Sequence, residues 1–90
     1  MNHDPAEWLA DWLQTDMSGD HQGISAFITG LTGGTRPERR VGNLYAASVS
    51  DDGLVLENIM QDDWPPVLVP AAMALTALTV GRDPSESVIG

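Results

Sequence analysis

Residues 43–60 read NLYAASVSDDGLVLENIM, and the reading of this stretch decides the fold. Two β-prone runs flank Asp51-Asp52-Gly53, and an Asp-Gly pair tolerates the positive φ angles of a tight hairpin turn. The stretch predicts a β-hairpin. With Asp52 and Gly53 as the loop residues, Val49 faces Leu56, Ala47 faces Asn58 and Tyr45 faces Met60, which makes one face largely apolar. The opposite face carries Ser48 with Glu57 and Ser50 with Val55, with Leu44, Ala46 and Ile59 at its far end. A slip of one residue would exchange the faces. Two strands alone are marginal in water, so the apolar face needs a cover of helices, further strands or a second copy of the chain.

Upstream, Asp4-Pro5 reads as an N-cap followed by proline at the first helical position, where its missing N–H costs nothing. Trp8, Leu9, Trp12 and Leu13 then form an apolar stripe, with Asp4, Glu7 and Asp11 on another side, so a first helix is expected to end near Asp16 to Gly19. In the next segment, Ile24, Phe27, Ile28 and Leu31 follow the spacing of a helix face, and Gly33 stands as a C-terminal stop. A second helix is the preferred reading. The competing reading is a strand, because ISAFIT has strand propensity and Gly23 and Gly30 weaken helices.

Residues 33–42, GGTRPERRVG, have turn composition and hold three of the four basic residues, all arginines. After the hairpin, Pro65 and Pro66 impose an extended backbone beside Trp64. Pro70 is placed in the first turn of a third helix that runs to Gly81 within the uncharged stretch Val67 to Val80. That helix has no charged face, and Ala71, Ala74 and Leu78 mark a line of close approach, so it is expected to be a central core helix or a dimer seam. The tail 82–90 is expected to be mobile. The whole is one α+β domain in the order helix, helix, loop, β-hairpin, helix, with the helices on one face of a small antiparallel sheet. The run VSDDGLVLENI followed by an alanine-rich helix resembles the hairpin of roadblock-type domains; the resemblance covers that element alone, and no residue role is carried over from it.

Ninety residues allow one modest core. The absence of cysteine removes disulfides, thiol nucleophiles and thiolate metal sites, and fits a reducing, cytoplasmic setting. No secretory pattern opens the chain, and no apolar run reaches the roughly 20 residues that span a bilayer. His21 with Asp16 and Asp20 is a thin metal set, and His3 adds nothing to it, so no metal is expected. Gly30, Gly33, Gly34, Thr35 and Arg36 have the composition of a phosphate-cradling loop, but a Walker motif needs a lysine and the chain has none, which leaves a linker. Paired carboxylates at Asp51 and Asp52 are explained by their turn. No nucleophile stands beside a base, so neither enzyme activity nor a cofactor is expected.

A net charge of −9 disfavours direct contact with nucleic acid and favours basic surfaces on proteins. The expected activity is protein binding by an inhibitor or adaptor; its most concrete form is a phage-type inhibitor of a host nucleic-acid-binding defence complex, with carboxylates imitating phosphates. Asp4, Glu7, Asp11, Asp62, Asp63 and Trp64 are the expected partner-binding residues. A homodimer is also expected, with Arg36, Arg39 and Arg40 meeting the acidic face of a second copy and Ala71, Ala74 and Leu78 in a seam. The alternative is an assembly protein that oligomerises through its third helix.

Overall fold

A computed structural model describes residues 4–61 and 63–82, with the side chains of 81 and 82 excepted. Helix α1 spans Pro5–Thr15, α2 His21–Leu31 and α3 Ala71–Arg82; strands β1 Arg40–Val41, β2 Tyr45–Ser50, β3 Gly53–Asn58 and β4 Val67–Pro70 lie between α2 and α3. The strands form one antiparallel sheet in the order β1-β2-β3-β4. All three helices pack on the same face of it. The α+β class and the order of helices are as the sequence predicts, and residues 24–31 are helical.

Local signals explain the helix starts. Asp4 accepts from the Ala6 N–H at 3.1 Å with Pro5 in the first turn, and Asp20 accepts from the Gly23 N–H at 3.0 Å. Each cap satisfies one of the donors that a helix N-terminus leaves open. On α1 the stripe buries Trp8, Leu9 and Trp12; on α2 Ile24 and Phe27 are buried. Gly30 is also buried, because a Cβ there would meet Pro37 Cδ at 2.7 Å, so its lack of a side chain lets the 35–37 loop cross α2 closely.

The hairpin forms with a different loop. Ser50 pairs with Gly53, Val49 with Leu54, Ala47 with Leu56 and Tyr45 with Asn58, so Asp51 and Asp52 make the turn and Gly53 opens β3. The displacement is two residues, which preserves side-chain parity. Tyr45, Ala47, Leu54 and Leu56 therefore still share the core face, whereas Met60 falls beyond the strand and is 65% exposed. The reason lies on the far side of β3. Gly53 pairs with Pro70, its φ is +147°, and a Cβ would run into the Val69 carbonyl oxygen and the Ala71 nitrogen. Glycine serves the approach of β4 here, not the loop.

Strands β1 and β4 enlarge the predicted hairpin to a four-stranded sheet. In β4, Val67 and Val69 are buried while Leu68 and Pro70 are exposed, the alternation of a half-buried strand. Pro70 ends this strand instead of starting α3, and an edge strand tolerates a residue that cannot donate to a ladder. The core comprises Trp8, Leu9, Trp12, Met17, Ile24, Phe27, Tyr45, Ala47, Leu54, Leu56, Val67, Val69, Ala74 and Leu78.

Candidate functional site

The expected acidic surface is partly structural. Asp4, Glu7 and Asp11 recur at i, i+3 and i+7, so they form one row along α1. Within it Asp4 caps the helix, and Asp11 Oδ2 accepts from the Tyr45 hydroxyl at 2.7 Å. Glu7 is exposed and lies in the first turn of α1, where a carboxylate suits the positive end of the helix dipole. Asp63 is exposed, and Asp62 lies outside the described residues. Trp64 is half-buried against the core, its ring 6.0 Å from that of Trp8, so it covers the hydrophobic cluster in the way a tryptophan beside a small sheet is usually spent.

Tyr45 is the chain's one tyrosine. Burial, followed by the bond to Asp11 and the nearby charges of Asp11 and Asp16, pushes its phenol well above the ordinary value of 10. Above pH 10 the unfolded chain releases this proton while the folded chain keeps it. The contribution of Tyr45 to stability is therefore complete below pH 10 and declines as the pH rises towards the folded value. In an alkaline ultraviolet titration, the phenolate absorbance is expected to appear together with loss of the fold, and at a lower pH in Asp11→Asn. A phenolate band that grows near pH 10 in folded protein would contradict this arrangement.

The arginines are spent within the chain. Arg36 pairs with Asp51 at 2.5 Å, Arg39 with Glu57 at 3.6 Å, and Arg40 with Asp20. The first two pairs are substantially exposed and contribute little to stability. At Asp20, the bond from the Gly23 backbone and that from Arg40 hold the carboxyl below its usual range. These arginines, expected to meet a second copy, have intrachain partners 15 to 20 residues away, which the local sequence does not mark. Ala74 and Leu78 are likewise fully buried inside the chain's own core, and Ala71 is half-buried. The sheet and the neighbouring helices occupy the side of α3 that carries Ala74 and Leu78.

What α3 leaves open is its opposite face. Ala6, Leu9, Ala10, Leu13 and Gln14 of α1 and Met73, Thr76, Ala77 and Val80 of α3 line a groove of about 670 Å3. Met73 is 40% and Val80 53% exposed. Only Gln14 and Thr76 offer side-chain polar atoms. On α1, Glu7, Ala10 and Gln14 stand at i, i+3 and i+7, so Glu7 heads the row that rims this groove and Asp11 lies one row further out. The spacing Met73, Thr76, Ala77, Val80 could have revealed the groove in the sequence, but a helix apolar all round gives no way to tell its core face from its open one.

One acid has a role that no local pattern announces. Asp16, just past α1, accepts backbone N–H groups from Asn43 at 3.0 Å, Leu44 at 3.2 Å and Tyr45 at 2.8 Å, so its carboxylate fills a nest of amides in the turn between β1 and β2. Gly42 permits this, since a Cβ there would sit 2.5 Å from Asp16 Cγ. Of the thin metal set, Asp16 accepts the 43–45 amides and Asp20 pairs with Arg40, while His3 lies outside the described residues; among the described residues no group of three potential ligands converges. In the glycine-rich segment, Gly30 lies beneath Arg36 and Pro37, and Arg36 itself holds Asp51. Among the described residues, no helix is long and apolar enough to cross a membrane. Compared with known family models, characterised proteins and solved structures, the chain matches none.

Proposed function

We propose that this chain is an acidic protein-binding module, acting as an inhibitor or adaptor that docks a basic surface of a protein partner. The observation that supports the reading best is how the charges are distributed. The three described arginine side chains sit in intrachain pairs, while Asp4, Glu7, Asp11, Glu38, Asp52 and Asp63 remain on the exterior of a chain of net charge −9. Such an exterior attracts cationic partners and repels phosphate backbones. The most concrete form is an inhibitor whose carboxylates occupy a groove that otherwise holds nucleic acid.

The test is affinity capture from the organism that carries the gene, with wild type beside the double variant Glu7→Gln, Asp63→Asn. These substitutions leave the Asp4 cap and the Asp11–Tyr45 bond in place. A basic protein retained by wild type and weakened at least about fivefold by the double variant is the expected result. Equal retention by both would remove the acidic surface from the mechanism.

A second reading, assembly through α3, is favoured by the exposure of Met73 and Val80. It predicts a stable oligomer in sedimentation across dilution, with those residues, not Ala74 or Leu78, in the contact.

A further inference from the structure

We infer that the open face of the sheet is the contact surface of a weak two-fold homodimer, in which Arg39 of each copy meets Glu57 of the other. The helices all lie on one side of the sheet, and the core residues of β2, β3 and β4 point towards them. Alternation therefore sends Ser48, Val55, Glu57 and Leu68 to the other side. Arg39 and Val41 join them, since Arg40 between the two reaches Asp20 of α2 whereas Arg39 reaches Glu57. Val41 is 59% and Leu68 44% exposed, so an apolar side chain stands open at each edge of this face.

Charge on the face itself selects the occupant. The chain has a net charge of −9, yet the strand positions that point this way, with Arg39 beside them, carry one acid and one arginine and are neutral together. A basic partner finds no excess of carboxylate here and a phosphate backbone no excess of arginine, whereas a second copy brings the opposite charge for each. Arg39 Nη2 stands 3.6 Å from Glu57 Oε2 with both side chains substantially exposed. A guanidinium has five donors, so so loose a pair can extend into a ring of four charges, and an isologous contact forms each cross-pair twice. Pro70 ends β4 and Pro66 precedes it, and neither can donate to a fifth strand, so contact is made face to face and not along that edge. At about 4.8 Å between strands and about 3.3 Å per residue the face covers at most about 400 Å2, half the roughly 800 Å2 per partner of a standard interface, which sets the affinity low. The acids of α1 lie on the other side of the sheet, so this dimer stands or falls separately from the docking of a basic partner.

The experiment is sedimentation equilibrium of the full chain from about 5 μM to about 1 mM, over which the average mass is expected to rise from that of one copy to that of two. Arg39→Glu and Glu57→Arg each set like charges against one another, and each is expected to weaken the dimer at least about tenfold. Their melting temperatures should stay close to wild type, because the pair within one copy is exposed. Mixing the two variants is expected to restore association as a heterodimer, and so is combining both reversals in one chain. Leu68→Arg, at the β4 edge of the face, is expected to weaken it as well. A chain that stays monomeric across the range would overturn the inference, and so would single reversals that neither mixing nor combination rescues. An oligomer dissociated by Val80→Glu but not by Arg39→Glu would move the contact to α3. A monomer whose captured protein partner is lost with Leu68→Arg would give the face to that partner; either result also overturns the homodimer.

Discussion

Replacing Asp16 by alanine is expected to lower folding stability by about 3 kcal/mol, a large share of the roughly 5 to 10 kcal/mol that a domain of this size holds. The carboxylate accepts three consecutive backbone N–H groups, and two of these bonds, to Leu44 and Tyr45, lie in a partly buried setting. A hydrogen bond to a charged acceptor contributes about 1.5 to 3 kcal/mol, and a buried donor left without a partner adds a further cost. Asn at this position keeps one acceptor oxygen but turns an NH2 group towards amides, so it should recover little. Urea denaturation reads the effect as a lower midpoint at an unchanged slope. A loss below about 1 kcal/mol would mean that water replaces the carboxylate at no great cost.

Trp12→Ala is expected to be larger still, about 4 kcal/mol, the range seen when a big aromatic is removed from a core. Trp12 is fully buried and meets Phe27 edge-on, with ring centroids 5.3 Å apart and planes at 86°. Its ring therefore joins α1 to α2 directly, and truncation removes apolar burial, an edge-to-face pair and the filling of the space between two helices. At that cost the variant keeps about 1 to 6 of the roughly 5 to 10 kcal/mol that stabilise the domain. Trp12→Phe should retain most of the stability. Circular dichroism melts of the two variants against wild type check the order, and an alanine variant that melts within a few degrees of wild type would show a core able to collapse around the gap.

The elements that the sequence made legible are those with local signals. Asp4-Pro5 and the stripe Trp8, Leu9, Trp12 locate α1, and the faces of β2 and β3 follow from alternation. The hairpin register was displaced by two residues because the cue was Asp-Gly chemistry, whereas Gly53 answers to a contact with β4 that is 16 to 18 residues distant. The displacement leaves every core residue on its face, since parity survives a shift of two. Strand β4 was hidden because VLVP runs without a break into the apolar α3, so four residues of alternation were absorbed by a longer helical run. The two residues of β1 are too few for any periodic signal.

The candidate site shows the same division. The row of acids on α1 follows from spacing alone, whereas the use of Asp11 on Tyr45 and of Asp16 on the 43–45 amides depends on chain segments 27 to 34 residues away. Helix periodicity identifies that α3 has an apolar surface all round; only the positions of the sheet and of α1 decide that Ala74 and Leu78 face inward and Met73 and Val80 outward. An alanine replacement of Asp4, Glu7 and Asp11 together would thus disturb a cap and a buried hydroxyl along with the surface charge. Asp63, exposed and outside α1, is the cleaner position at which to probe binding.

Attraction between an acidic exterior and a cationic partner is the proposed basis of binding, and its most direct measurement is the dissociation constant of the captured partner as a function of salt. Between about 0.05 and 0.5 M monovalent salt, the affinity is predicted to fall at least tenfold, as the Debye length contracts from above 10 Å to a few ångströms. An affinity unchanged across that range would contradict it.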